Sequence, residues 1–319
     1  MKRGLKSALV FVLLVVVLDR SLGFGLGYLY GRTRSGEGGG LINGALSTKA
    51  QVLLLGSSRM KHHVDPAVLS RKLSLSVYNA GVNGQYFLYA AMLMDLWQRF
   101  NPPPRVVVLE VDRGWFTKDE VELKRTSIFS FYLGESDLVR EVIYQRTAFE
   151  PLKYVSSSYR ANGKVLPILK NLLARDRDPL NGFRPLSGTM SVPPPSQNSG
   201  TTGPAKPPHF WDFKVRCFKR LAAYCRQNGT RLFLFHSPRF NEARADHDAW
   251  VAVLRAFLGD YPDVEFIDIS EFTYPETFAN RPKLFVDSSH LNAKGAEIVS
   301  DLLAATLEAR LRRSSAGAN

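Results

Sequence analysis

The chain has 319 residues, 45% of them hydrophobic and 11% aromatic, enough for one large or two ordinary domains with a sizeable core. Its net charge of +13 is scattered, with no Lys/Arg-rich run of five or more and no nucleic-acid motif, which favours anionic partners such as lipid headgroups or acidic polymers over nucleic acid. With two cysteines, Cys217 and Cys225, eight residues apart on one helical pattern, a disulfide framework and a four-cysteine zinc site are both excluded.

Lys2, Arg3 and Lys6 precede an unbroken apolar run from Ala8 to Leu18, a basic flank ahead of a membrane-seeking helix. The flank predicts that the terminus stays in the cytoplasm while the remainder is exported. Asp19 and Arg20 interrupt the run before a second uncharged stretch, Ser21 to Tyr30. A full span needs about 20 residues, so residues 1–31 are read in two ways. One is a cleaved signal with Ala8–Leu18 as its apolar core. The other is an anchor that joins both stretches and tucks the Asp19/Arg20 pair against its own helix or a partner. No Ala-x-Ala cleavage site is present, and the single-pass anchor is the favoured reading.

After a Gly/Ser/Arg-rich stretch, Arg32 to Gly40, the ordered domain is expected from Leu41. Apolar runs predict strands at Gln51–Leu55, Leu75–Tyr78, Arg105–Val111, Arg231–Phe235 and Val264–Ile269. Helical patterns fall between them at Pro66–Lys72, Tyr86–Phe100, Phe213–Gln227, Ala243–Leu258 and Ala293–Arg312. This alternation predicts an α/β domain over residues 41–114 and 209–313, with a central parallel sheet of about five strands and helices on both faces. Between residues 115 and 208 the rhythm lapses. Trp115–Arg184 reads as a helical insertion, with Trp115 and Phe116 more suited to core than to a sugar platform. Leu186–Pro208, which contains Val192-Pro-Pro-Pro-Ser196, reads as a Pro/Ser/Gly-rich loop returning it to the domain. The insertion is the candidate for substrate selection, with a cap that makes no substrate contact as the alternative.

The chemistry concentrates at predicted strand ends. Gln51-Val-Leu-Leu-Leu-Gly-Ser-Ser-Arg59 reads as a buried strand ending in a glycine turn that presents two hydroxyls, Ser57 and Ser58. Ligands of open α/β sheets bind beyond such strand ends, although an N-capping serine would look the same. Downstream, Asp287-Ser-Ser-His290 enters a helix, and its spacing puts both side chains on one side. Asp287 can then hold the imidazole of His290 in one tautomer while His290 takes a proton from a serine. Asn79-Ala-Gly-Val-Asn-Gly84 follows the second strand, where Gly81 and Gly84 can offer backbone N–H groups to an oxyanion or form a plain turn. His236 is a rival base that lacks a sequence-local acid unless the distant Asp112 serves. Arg59 reads as a binder of substrate carboxylate or phosphate, or as a salt-bridge cation. His62-His63-x-Asp65 completes no metal shell, so neither a metal nor a cofactor is expected.

In their order, Gly56-Ser57-Ser58, Asn79-x-Gly81-x-x-Gly84 and Asp287-x-x-His290 resemble the blocks of the SGNH/GDSL hydrolase superfamily. Leu55-Gly-Ser-Ser-Arg59 and Val77-Tyr-Asn-Ala-Gly81 resemble its membrane-anchored bacterial branch, which includes proteins that acylate exported polysaccharides or teichoic acids. The resemblance covers residues 50–112 and 210–312. It implies a flavodoxin-like three-layer sandwich, with Ser58 as nucleophile, His290 as base, Asp287 as its orienting acid, and the N–H groups of Ser58 and Gly84 as oxyanion donors. Ser57 replaces the family's usual aspartate. The family's third-block asparagine is missing from Glu110-Val-Asp-Arg-Gly114, so either Arg113 or Asn83 substitutes or the enzyme is a slow or highly specialised one. Arg59, Asn79, Gly81, Asp112, Arg113 and His236 are the candidate substrate-binding groups. The implied activity is that of an esterase or O-acyltransferase on a cell-envelope glycan, held at the bacterial inner membrane with its domain on the periplasmic side. The implied partners are membrane lipid, the glycan or acyl donor, and a membrane acyltransferase. A protein that kept the fold for binding or assembling envelope polysaccharide and lost the chemistry is the alternative.

Overall fold

The computed structural model describes residues 2–34, 36, 39–173, 180–191 and 210–316. Its elements run α1 (Lys2–Arg32), α2 (Gly39–Ser47), β1 (Val52–Leu55), α3 (Ser58–His63), α4 (Pro66–Leu73), β2 (Val77–Asn79), α5 (Phe87–Phe100) and β3 (Val106–Glu110). Short helices follow, α6 (Glu120–Arg125), α7 (Asp137–Tyr144), α8 (Glu150–Lys153) and α9 (Val165–Leu173), with 3-10 turns at Thr126–Tyr132 and Ser158–Ala161. The chain closes with α10 (Asp212–Gln227), β4 (Arg231–His236), α11 (Arg244–Leu258), β5 (Val264–Asp268), α12 (Pro275–Phe278) and α13 (Ala293–Ala316). Two compact units result, one from Met1–Ser47 with Glu120–Asp178, the other from Thr48–Asp119 with Pro179–Asn319.

In the second unit the five strands described form one parallel sheet in the order β2-β1-β3-β4-β5, a flavodoxin-like layout. The strands at Val52–Leu55 and Val106–Glu110 are buried along their whole length, as strands covered on both faces require. Side chains alternate between the faces. Val52, Leu54, Val106, Val108, Phe233 and Phe235 join Leu69 of α4 and Val299, Leu303 and Leu307 of α13 in one core. Their neighbours Leu53, Leu55, Val107, Leu109, Leu232 and Leu234 are equally buried and face the other way, on the side where α5 and α10 pack together. Local signals set the helix starts. Asp65 caps α4 by accepting from the N–H of Ala67, with Pro66 in its first turn, and Asn292 accepts from the N–H of Gly295 at the head of α13.

The unit boundaries depart from those expected. Gly39–Ser47 clusters with α1, so the α/β unit begins after it. Trp115 and Phe116 are buried and pack on Phe87, which draws residues 115–119 into the α/β unit. The start of the Pro/Ser/Gly-rich tract also belongs there, since Met190 donates to the carbonyl of Phe285 and Ala293 to that of Leu186. Its remainder, residues 192–208, lies outside the described residues.

The first unit is built around α1, whose segment Arg3–Arg32 contains an 18-residue window with a mean hydropathy of 2.2 and is long and apolar enough to cross a membrane; a signal sequence passes the same test. Asp19 and Arg20 leave the helix unbroken. The Asp19 carboxylate accepts from the hydroxyls of Ser156 and Ser158 and from the N–H groups of Ser157 and Ser158. Gly23 lets that loop approach, because a Cβ there would stand 2.5 Å from the Cβ of Ser157. Residues 120–173, expected as an insertion of the α/β domain, are thus packed with the N-terminal helix.

Candidate active site at the carboxyl ends of the strands

Beyond β1 the chain turns at Gly56, where a Cβ would lie 2.7 Å from the Cβ of Glu110, so only glycine allows β1 and β3 to end this close. The two serines that follow have different surroundings. Ser57 is buried, donates its hydroxyl to Glu110 Oε2 at 2.7 Å, and caps α3 by accepting from the N–H of Arg59 at 3.2 Å. Ser58, in the first turn of α3, places its Oγ 2.8 Å from His290 Nε2.

His290 sits on a tight turn closed by an antiparallel bridge between Phe285 and Leu291, with the N–H of Val286 donating to the carbonyl of His290. Asp287 fastens the turn from inside, accepting from the N–H groups of Ser289 and His290 and standing 2.9 Å from His290 Nδ1 through Oδ2. With Nδ1–H donating to the carboxylate, Nε2 carries the lone pair that faces the Ser58 hydroxyl. Partial burial pushes the Asp287 carboxyl up, but the hydrogen bonds from the His290 ring and the two N–H groups outweigh it and leave it below its ordinary value.

A second histidine supports this turn. His63, at the end of α3, is fully buried; its Nε2 accepts from the N–H of Leu291 at 2.9 Å, so its Nδ1–H donates to Ser237 Oγ at 2.6 Å. Burial first, and the nearby Arg59 charge second, hold its pKa well below the usual imidazole value. His62 is depressed by burial too, donates through Nδ1 to the carbonyl of Arg184, meets the Asn83 side chain, and packs edge-on to His290 with ring centroids 5.9 Å apart. The pair therefore sets the position of His290. Asp65 faces elsewhere, capping α4, so no His62-His63-x-Asp65 shell forms.

Glu110 is the residue that sequence reasoning missed. It lies wholly buried at the end of β3 and clamps the serine turn. Its Oε2 accepts from both the N–H and the hydroxyl of Ser57, and its Oε1 takes Arg59 Nη2 at 2.5 Å. Arg59 also reaches Asp112 at 2.9 Å, and Asp112 reaches Arg239 at 3.0 Å. Burial would raise the Asp112 carboxyl, but Arg59 and Arg239 hold it well below the usual range. An acid on strand β3 beside an arginine on α3 was the only available signal, and it carries no register without the sheet.

Several candidate groups are engaged in the scaffold. Arg59 is buried in its ion pairs, which disposes of the substrate-anion reading, and Asp112 holds arginines. The Asn79 amide donates to the carbonyls of Met60 and Val64 and accepts from the N–H of Gly81, so neither Asn79 nor Gly81 has that group free for substrate or oxyanion. Arg113 turns to Asp246 of α11, at 2.7 Å, and cannot replace the missing asparagine from there. His236 is fully buried; its acid is Glu242, at 3.3 Å, and not Asp112. Gly84 takes a left-handed conformation at φ 66° in the turn before α5, and Asn83 beside it is exposed. Compared with family models and with curated proteins, the chain finds no match in either.

Proposed function

We propose that the chain is a membrane-anchored, SGNH-like serine esterase or O-acyltransferase that acts on a cell-envelope glycan or similar polymer through an acyl-enzyme. The observation that carries this reading is the Ser58 Oγ–His290 Nε2 contact of 2.8 Å backed by Asp287. Ser58 Oγ attacks the acyl carbonyl while its proton passes to His290 Nε2, and Asp287 stabilises the imidazolium. The first-turn N–H of Ser58, which a helix cannot pair internally, faces the developing oxyanion, with Gly84 or Asn83 as the second donor. The imidazolium then protonates the leaving alcohol. Water or a sugar hydroxyl, deprotonated by His290, attacks the acyl carbon and releases Ser58.

The anchor reading rests on α1, and the helices packed with it extend the same chemistry. Phe149, Leu152, Leu166 and Leu173 are exposed, as are the apolar residues of α1 from Leu9 to Leu18. A bilayer would cover this surface, with the catalytic domain on the extracytoplasmic side and the basic residues before Ala8 in the cytoplasm.

Full-length protein in detergent, given p-nitrophenyl acetate, is expected to release a burst of nitrophenolate and to retain one acyl group on Ser58. Ser58→Ala should lose turnover by roughly 10⁴-fold or more. Unaltered turnover in that variant would sink the assignment. The replaced third block favours one second reading, a glycan-binding protein without chemistry, which predicts no labelling of Ser58 by a fluorophosphonate together with salt-sensitive binding of an anionic polymer.

A further inference from the structure

A second polar cluster lies at the carboxyl ends of β4 and β5, separate from the Ser58–His290 pair. His236 ends β4 and is in register with Asp268, which ends β5. Glu242 comes from the following loop and His247 from α11. One donor atom each from His236, Glu242 and His247 lies within 4.8 Å of the others. The side chains of the three are between 0% and 4% exposed. Trp250 stacks near the His236 ring at 4.9 Å and Phe272 near His247 at 4.7 Å, walling the cluster with aromatic surface.

Hydrogen bonding alone leaves this cluster incomplete. Glu242 Oε1, His247 Nε2 and Asp268 Oδ1 are all buried without a hydrogen-bond partner among the described residues. Each such atom costs about 1–3 kcal/mol when left unpaired, and three in one place is unusual for a folded core. His247 Nε2 stands 3.2 Å from Asp268 Oδ2 yet at an angle that makes no hydrogen bond. His236 donates through Nδ1 to the carbonyl of Val111, which points Nε2 at the Glu242 carboxylate, 3.3 Å away.

We propose that His236, Glu242 and His247, with Asp268 as the fourth group, bind one divalent transition cation of the zinc class in a closed structural site. Bonds of about 2.0–2.1 Å in a tetrahedron separate neighbouring ligand atoms by about 3.3 Å, the spacing of the two contacts above. Two imidazoles and two carboxylates are a zinc-type donor set, and the two negative charges balance a dication in a place where an unbalanced charge would be costly. The outer partners are also in place: His236 Nδ1 is held by the Val111 carbonyl and His247 Nδ1 by the Asp248 carboxylate, so the Nε2 atoms are the ligands. His236, Glu242 and His247 are buried, so the ion would tie β4, β5 and α11 together and take no part in acyl transfer.

Full-length protein stripped with a chelator and dialysed decides this with zinc and cobalt(II) as probes. The expected result is uptake of one ion per chain, a cobalt spectrum of four-coordinate type with nitrogen and oxygen ligands, and a higher melting temperature for the zinc-loaded than for the stripped protein. His247→Gln and Glu242→Gln should each lose uptake, and Ser58→Ala should keep it. Stripped wild type that neither takes up stoichiometric zinc nor melts differently with it overturns the site, whether or not the variants fold. Uptake that survives in both variants and disappears in His62→Ala overturns it equally.

Discussion

The two units of this chain differ in how much apolar surface they leave exposed. In the α/β unit the large apolar side chains are inside; among its described residues Phe100 and Leu180 are the ones left exposed. In the unit built on α1 a buried core that includes Leu123, Phe129, Val139 and Ile143 is joined by many exposed apolar residues, with Phe24 at 79%, Leu166 at 78% and Leu173 at 82% exposure. Its interior also holds polar groups with partners inside the unit. Asn43 donates to the carbonyl of Tyr30, Tyr30 donates to that of Ile128, and Glu150 takes both Arg146 and Lys153. Water drives the first arrangement; the second fits the proposed membrane anchor, since polar groups beside an apolar solvent must find partners internally. The comparison teaches that a buried charge plays different parts in the two units. In one it ties a loop to α1, and in the other it fixes the Ser57–Ser58 turn.

The largest expected effect tests the second part. Glu110→Ala leaves Arg59 buried beside a single remaining acid and frees the Ser57 turn, a loss of roughly 3–5 kcal/mol as for other broken buried pairs. Denaturant titration of the α/β unit, followed by tryptophan fluorescence, reads it. A change below about 1 kcal/mol would mean that the clamp holds nothing.

Asp19 tests the first part. Asp19→Leu strips the acceptor from four hydrogen bonds around Ser156–Ser158 and should loosen that loop of the first unit. Faster amide exchange at Ser157 and Ser158 in detergent, with the α/β unit unchanged, is the expected reading. Unchanged exchange would show that the polar interior of this unit is incidental.

His63 gives the comparison a pH dependence. Its folded pKa lies below its unfolded value of about 6.5. The unfolded chain therefore binds a proton that the folded chain refuses, so the stability is present above about pH 6.5 and is lost as pH falls below it, at about 1.4 kcal/mol per unit until the folded ring itself titrates. His62, also depressed, adds in the same direction. Wild type should lose stability between pH 6.5 and 5 more steeply than His63→Gln by one proton, read as the difference in slope of unfolding free energy against pH. Parallel slopes would remove His63 from the account.

Much of the scaffold was legible in advance, and the reasons are local. Apolar runs such as Val106-Val-Val-Leu109 and the stripe Val299, Leu303, Leu307 carry their own period, so strand and helix positions followed within a residue or two at most ends. Three-residue spacing likewise foretold the Asp287–His290 contact. What could not be read are the pairings set by the sheet. Glu110 meets Ser57 and Arg59 across more than fifty residues, and His63 meets Leu291 across 228. Arg59, Asn79 and Arg113 looked available for substrate because their buried partners lie on other elements. The allegiance of residues 120–173 to α1 was hidden for the same reason, since exposed leucines on short helices look like core until their neighbours are known.

The smallest effect separates the two serines. Ser57→Ala removes a helix cap and one of the hydroxyl donors to Glu110, yet the N–H of residue 57 still reaches that carboxylate, so the expected loss is about 1 kcal/mol. Turnover of an activated ester should persist in this variant, because Ser58, His290 and Asp287 keep their contacts. Chemical denaturation and the nitrophenolate burst, measured on the same preparation, test the two statements together. Loss of the burst in Ser57→Ala with its stability intact would transfer the nucleophile's role to Ser57. Glu110 would then be its general base, and the Ser58–His290 contact a structural one.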